Sequence, residues 1–219
     1  MTNAFASPLT SEAFRLIATP RILKEPAPES FDPKTIPANG DHRLADMIAP
    51  DDGHLHKPAS VLIPIIKHSG EATMLLTHRA SHLKDHAGQI AFPGGKIAPD
   101  DSSPLAAALR EAEEEIGLDR QFVEPIGFLD PYLSSTGFRI VPVVAFVEPE
   151  HTLTIDPSEV ESVFEVPLSF LMNPIHHETH HREWRGKDRA YYAMPYQGHY
   201  IWGVTAGIIR NLYERVYGS

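Results

Sequence analysis

Three glutamates spaced for one helix face follow a glycine pair, and residues of these types in this order can do phosphate chemistry. The stretch reads Phe92-Pro93-Gly94-Gly95-Lys96, then Arg110-Glu111-Ala112-Glu113-Glu114-Glu115-Ile116-Gly117. Glu111, Glu114 and Glu115 stand at i, i+3 and i+4 and share one helical face, whereas Glu113 is rotated away. Like charges so placed repel, and they sit at the negative end of the helix dipole, so a cation is needed to offset them. Hard carboxylate oxygens suit Mg2+ or Mn2+, which keep several waters and complete their shell with substrate phosphate. Glutamate runs also occur on solvated faces that bind nothing. The loop sets this one apart, because Gly94 and Gly95 allow close backbone approach and positive φ, and the Gly95 carbonyl can join a metal shell.

The elements around the stretch must hold it in place. Ser102 or Ser103 suits an N-cap, Pro104 suits the first turn, and Gly117 suits a left-handed stop, which predicts a helix from Pro104 to Ile116. Branched apolar runs at 60–66 and 72–77, joined by His68-Ser69-Gly70-Glu71, predict a hairpin. Strand character recurs at 122–129, 139–147, 160–166 and 191–196, with a short helix after Pro167. Ile208, Leu212 and Val216 mark a closing amphipathic helix. At the other end, residues 11–19 have a weak helical pattern stopped by Pro20, and 26–37 is a proline-rich connector. The expected organisation is an N-terminal arm over 1–50 and one α/β domain over 51–219. Periodicity alone leaves α/β and α+β both open.

These residues resemble the Nudix hydrolases, whose signature runs from a glycine through an acidic residue to Arg-Glu-x-x-Glu-Glu-x-Gly. Gly95, Asp101, Arg110, Glu111, Glu114, Glu115 and Gly117 take those places. Asp101 replaces the usual glutamate, and eight residues instead of seven separate it from Arg110. That spacing is similar to one branch, the coenzyme A diphosphatases. The upstream Leu75-Leu76-Thr77-His78-Arg79-Ala80, then Lys84, Gly88 and Phe92-Pro93-Gly94-Gly95, is similar to the same branch, except that Lys84 stands where the branch has arginine and so lacks the planar fork. Ile201-Trp202-Gly203-Val204-Thr205-Ala206 also looks like a run of that branch. The resemblance spans about residues 58 to 215.

The resemblance implies an α/β/α sandwich with a mixed sheet and a loop-helix-loop metal motif. It implies hydrolysis of the diphosphate of coenzyme A or its derivatives to 3',5'-ADP and 4'-phosphopantetheine, or the acyl form. Glu111, Glu114 and Glu115 would hold Mg2+ or Mn2+ with the Gly95 carbonyl. Arg110 would orient the carboxylates, and Arg79, Lys84, Gly94 and Lys96 would meet the substrate. Glu159 lies where the family recruits a further carboxylate, as base or metal ligand; a solvated carboxylate at a strand edge is the competing reading. Other nucleoside diphosphate derivatives, such as ADP-ribose or a dinucleotide polyphosphate, form the alternative substrate class. A Nudix-like binding module without catalysis is a third reading, and the presence of all three carboxylates speaks against it. Homodimers are frequent in the family.

Composition narrows the classes further. The 219-residue chain is 42% hydrophobic, enough for one good core, and has no cysteine, which excludes disulfides and thiolate metal sites. A formal net charge of -10 argues against nucleic acid and anionic membranes as partners, while local bases such as Arg79, Lys84 and Lys96 can still neutralise a diphosphate. No apolar run reaches membrane-spanning length and no leader pattern opens the chain, so a cytoplasmic location is expected. His176-His177-Glu178-Thr179-His180-His181 has imidazoles at i, i+4, but after Asn173-Pro174 it reads as an exposed loop with pH-dependent charge instead of a native metal site.

Overall fold

The computed structural model describes residues 8–44, 55–184 and 187–218, so the expected boundary at 50/51 lies outside the described residues. Helix α1 (Ser11–Ala18) is capped by Thr10, whose hydroxyl accepts the Ala13 amide at 3.1 Å. Its Phe14 and Ala18 are fully buried in the main core. Strand β1 (Asn39–Gly40) is short. The hairpin follows as β2 (Lys57–Ile66) and β3 (Thr73–Arg79), and then β4 (Ile90–Ala91) and β5 (Gly94–Lys96) carry the glycine loop. Helix α2 (Pro104–Ile116) has the predicted span: Ser103 accepts the Ala106 amide at 3.1 Å, and Gly117, at φ 65°, ends it.

After α2 come β6 (Val123–Phe128), β7 (Tyr132–Leu133), β8 (Phe138–Val147), β9 (Val160–Pro167) and the single turn α3 (Leu168–Leu171). The chain closes through β10 (Glu178–Trp184), β11 (Lys187–Tyr196), β12 (His199–Trp202) and α4 (Val204–Tyr217).

A nine-stranded mixed sheet runs β1-β7-β8-β2-β3-β4, with β5 on β2, β6 on β8 and β9 on β3. Its spine is β2 and β8, parallel over their whole length from Lys57 opposite Phe138 to Ile66 opposite Val147. Both strands are apolar on successive residues, as strands covered on two faces must be. Leu62, Ile66, Val141 and Val143 pack on the α2 side, and Ile63, Ile65, Val144 and Phe146 on the side of α1 and α4. This is the expected α/β/α sandwich. Among the described residues no helix is long and apolar enough to cross a membrane.

Two features differ from the sequence reading. Strands β10, β11 and β12 form a separate antiparallel sheet, and β11 begins at Lys187 instead of Tyr191. The histidine-rich segment is not a loop: Pro174–His176 forms a 3-10 turn and the residues from Glu178 pair with β11. The strand has polar residues on both of its faces, so no apolar alternation marks it. His180 pairs with Glu178 at 2.6 Å and with the Tyr200 hydroxyl at 2.7 Å, and His181 with Asp188 at 2.8 Å.

Phe14 gives a direct test of how far the N-terminal segment belongs to the core. Phe14→Ala is expected to lower unfolding free energy by about 3–5 kcal/mol, because its ring packs edge-on to Phe146 and leaves a cavity when removed. Urea denaturation reads this out, and an unchanged midpoint would detach α1 from the domain.

Candidate active site

The glycine loop lies against both the sheet and α2. Gly95 pairs with Ser60 and Gly94 with Val61 on β2. A Cβ on Gly94, whose φ is 152°, would run into the Ser60 carbonyl and stand 2.6 Å from the Val61 Cα. A Cβ on Gly95 would lie 2.5 Å from the Glu111 carboxyl carbon. Gly94 therefore excludes any larger residue, whereas at Gly95 a side chain would displace the Glu111 carboxylate, which touches the loop backbone.

Arg110 organises the acids. Its Nε and Nη2 donate to the two oxygens of Asp101 at 3.0 and 2.9 Å, and Nη2 also donates to the Lys96 carbonyl at 3.2 Å. Nη1 lies 3.0 Å from Glu111 and donates to Glu114 at 2.7 Å. The guanidinium holds the Asp101 carboxyl below its usual range, and the acids in turn raise the arginine. Asp101 is thus the anchor of the fork, a role its place in the spacing pattern did not reveal. An acid that closes the loop just before the helix cap was the available signal.

The three motif glutamates have different surroundings. Glu115 is buried, with its side chain 3% exposed; it accepts the Gly94 amide at 3.1 Å and lies 3.5 Å from Arg79 Nη1. Glu111 is 17% exposed beside Gly95, and Glu114, at 59%, is turned outward onto Arg110. Among the described residues no three His, Asp or Glu side chains stand within reach of one ion. Glu113 leaves this face and pairs with Arg120 at 2.8 Å.

Burial pushes the Glu115 carboxyl up to about 7, with Gly94 and Arg79 opposing and Glu111 and Glu159 adding repulsion. Burial also raises Glu111, against Arg110 and with repulsion from Glu114 and Glu159. Glu159, just before β9, thus sits close enough to load both buried acids, while its carbonyl accepts the Ala80 amide at 2.9 Å. The pair of desolvated, mutually repelling carboxylates, Glu111 and Glu115, suits a hard divalent ion, which would relieve both burdens.

The basic residues are less uniform. Arg79 has a buried Nε with no hydrogen-bond partner among the described residues. Lys84 and Lys96 have exposed side chains. The segment between Arg79 and Gln89 is closed on itself, the Arg79 amide donating to the Gln89 carbonyl at 3.0 Å and the Gly88 amide to the Arg79 carbonyl at 3.1 Å. His82 ties it to the Ser158 carbonyl at 3.2 Å, beside Glu159.

The NUDIX domain matches residues 56–185, more than half of the chain. The chain belongs to the Nudix family. It is 43% identical over 156 residues to the Nudix hydrolase NudL of Enterobacter sp. (strain 638), covering 71% of this chain and 81% of that protein. With NudL of Escherichia coli (strain K12) it shares 42% over 157 residues, covering 72% and 81%. A solved structure, a binary complex of the C. elegans Ap4A hydrolase, aligns over 53% of this chain and 83% of that one at 16% identity, with a TM-score of 0.45. The chain is therefore a Nudix pyrophosphohydrolase, a hydrolase of pyrophosphate-bearing substrates, in a family that generally needs divalent metal ions.

The raised Glu115 fixes the sign of a pH effect in the metal-free protein. The unfolded carboxyl titrates near its ordinary value and the folded one near 7, so stability is complete below the lower value and is lost as pH rises through the higher one. Urea unfolding in chelator is expected to show that Glu115→Gln removes a decline of up to about 3 kcal/mol across that window. Parallel pH profiles for the two proteins would contradict the assigned burial.

Proposed function

We propose that the protein is a coenzyme A diphosphatase that uses Mg2+ or Mn2+ and acts on coenzyme A or its derivatives. The observation that carries this reading is Arg79. It belongs to the upstream segment similar to the coenzyme A branch, it reaches Glu115, and it keeps a buried Nε–H without an acceptor. A buried guanidinium donor left unpaired is costly unless an anion completes it. The segment that suggests the substrate and the acids that suggest the chemistry are thus built into one site.

When bound, the ion supplies polarisation of the phosphoryl oxygens and a water of lowered pKa. The chain's residues do the rest. Glu111, Glu114 and Glu115 would hold the ion with the Gly95 carbonyl. Arg110 stays on Asp101 and keeps the helix and loop in register. Arg79, Lys84 and Lys96 neutralise the diphosphate, Gly94 lets the backbone come close, and Glu159 supplies a further carboxylate as base or ligand. The preferred partner is a small nucleoside diphosphate derivative, with neither nucleic acid nor membrane involved.

The test is a substrate panel with Mg2+ or Mn2+: coenzyme A, acyl-coenzyme A, ADP-ribose, NADH and diadenosine polyphosphates, with products identified by mass. Dominant adenosine 3',5'-bisphosphate from the first two is the expected result. Preferential AMP formation from the others would assign another Nudix substrate class, and binding without turnover would make the chain a recognition module. Within the motif, Glu114→Gln is expected to lower kcat about a hundredfold or more at saturating metal while leaving the thermal midpoint in place. Glu113→Gln, which only loses its exposed pair with Arg120, should stay within about twofold. Equal losses in the two variants would refute the division of the helix into faces.

A further inference from the structure

The run Ile201-Trp202-Gly203-Val204-Thr205-Ala206 lies at the join of β12 and α4, and none of its residues belongs to the acidic motif. Gly203, at φ 63°, turns the chain from strand into helix, a conformation open to glycine. Its amide donates to the Tyr192 carbonyl of β11 at 3.0 Å. The Trp202 ring packs on Tyr191 with centroids 5.3 Å apart, and Ile201 and Ala206 are buried in the core. The turn is therefore fixed on both sides, and this sets the position of Thr205, the second residue of α4. Thr205 is 6% exposed, and its hydroxyl donates to the Ile90 carbonyl of β4 at 2.8 Å.

Strand β4 is the last in the order of the main sheet, and β3 is its strand partner. Backbone groups alternate in direction along a strand. The carbonyls of Gln89 and Ala91 turn toward β3, where the Arg79 amide donates to the first at 3.0 Å and the Thr77 hydroxyl to the second at 3.1 Å. The Ile90 carbonyl, between them, turns away from β3 toward α4, and Ile90 is itself only 5% exposed. A buried carbonyl in that place needs a donor, and Thr205 supplies it.

The surroundings of Glu115 hang on this short strand. At one end Gln89 holds the backbone of Arg79, whose guanidinium lies 3.5 Å from Glu115. Beyond the other end the Pro93 carbonyl accepts the Leu62 amide at 2.9 Å, and the Gly94 amide donates to Glu115 at 3.1 Å. Both groups that offset the charge of this buried carboxylate are thus tied to the segment 89–94, one at each end, and Thr205 fastens its middle.

We propose that Thr205 is a positioning residue for the metal site: its hydroxyl holds β4 from the α4 side and so keeps the Gly94 amide and the Arg79 guanidinium on Glu115. The proposal rests on the reading of Glu115 as a metal ligand and is independent of the substrate. It gives the run over 201–206 a part in assembling the site from across the sheet, without contact with substrate or ion.

Thr205→Val keeps the shape of the side chain and removes the hydroxyl, whereas Thr205→Ser keeps the hydroxyl. Mn2+ binding to the full-length protein, followed by the electron paramagnetic resonance of the free ion, is expected to weaken about tenfold in Thr205→Val and to stay within about twofold of wild type in Thr205→Ser. In chelator, the Gly94 and Arg79 amides should exchange faster in Thr205→Val than in wild type or Thr205→Ser. Leu212→Ala, which removes a fully buried side chain from the same helix and leaves the hydroxyl in place, should lower the thermal midpoint with Mn2+ affinity unchanged. Thr205→Ala takes the place of Thr205→Val should the latter fail to fold. Wild-type Mn2+ affinity in the variant without the hydroxyl, or equal weakening in Thr205→Ser or Leu212→Ala, overturns the proposal. Wild type that binds Mn2+ no better than Glu115→Gln would overturn the metal reading as well, a result distinct from intact wild-type binding that loss of the hydroxyl leaves unchanged.

Discussion

The site depends on two backbone positions that leave no room for a Cβ. Gly94 is pressed against β2 and Gly95 against the carboxylate of Glu111, so the loop is clamped between the sheet and α2. That contact sets the distance from the Gly95 carbonyl to the motif acids and allows the Gly94 amide to reach Glu115. A single methyl at Gly94 would push the loop off the β2 backbone, and the buried carboxylate would lose its backbone donor, whereas a methyl at Gly95 would displace the Glu111 carboxylate. Every other feature of the site, from the Arg110 fork to the position of Arg79, presupposes this close approach.

Electrostatics divides the motif helix into unequal parts. Arg110 is saturated with acceptors, and its strongest ties are to Asp101, which lies outside the helix. The arginine therefore works as a staple between the loop exit and the helix, and its hold on Glu114 is the exposed, weaker end of the network. Glu115, by contrast, has only one amide and a distant guanidinium against its burial. The electrostatic burden of the cluster is thus greatest at its most buried member.

Much of this was legible in the chain because it is local. The helix bounds follow from Ser103, Pro104 and Gly117, and the facing of Glu111 and Glu115 against Glu113 follows from 3.6-residue geometry. Less was legible where partners are distant or both faces are polar. Nothing in the sequence pairs β2 with β8, since parallel register leaves no turn to read. The outward turn of Glu114 depends on Arg110 already being bound to Asp101, a tertiary fact. The histidine-rich segment reads as a loop from sequence because residues 178–183 are polar on both faces, so a loop and an edge strand have the same composition there.

The parallel pairing of β2 with β8 also orders events in time. These strands lie on either side of α2 in the chain, and both pack on it through Leu62, Ile66, Val141 and Val143. The motif helix is consequently enclosed in the loop that this pairing closes, and non-local closure is slow compared with helix formation. During synthesis, residues 104–116 emerge after β2 but before 138–147, so half of the helix's floor is still missing. Until that ladder zips, its glutamates are ordinary solvated side chains with no pocket to be desolvated in. The burial of the motif acids therefore rests on a pairing between two strands that the helix itself separates in the chain.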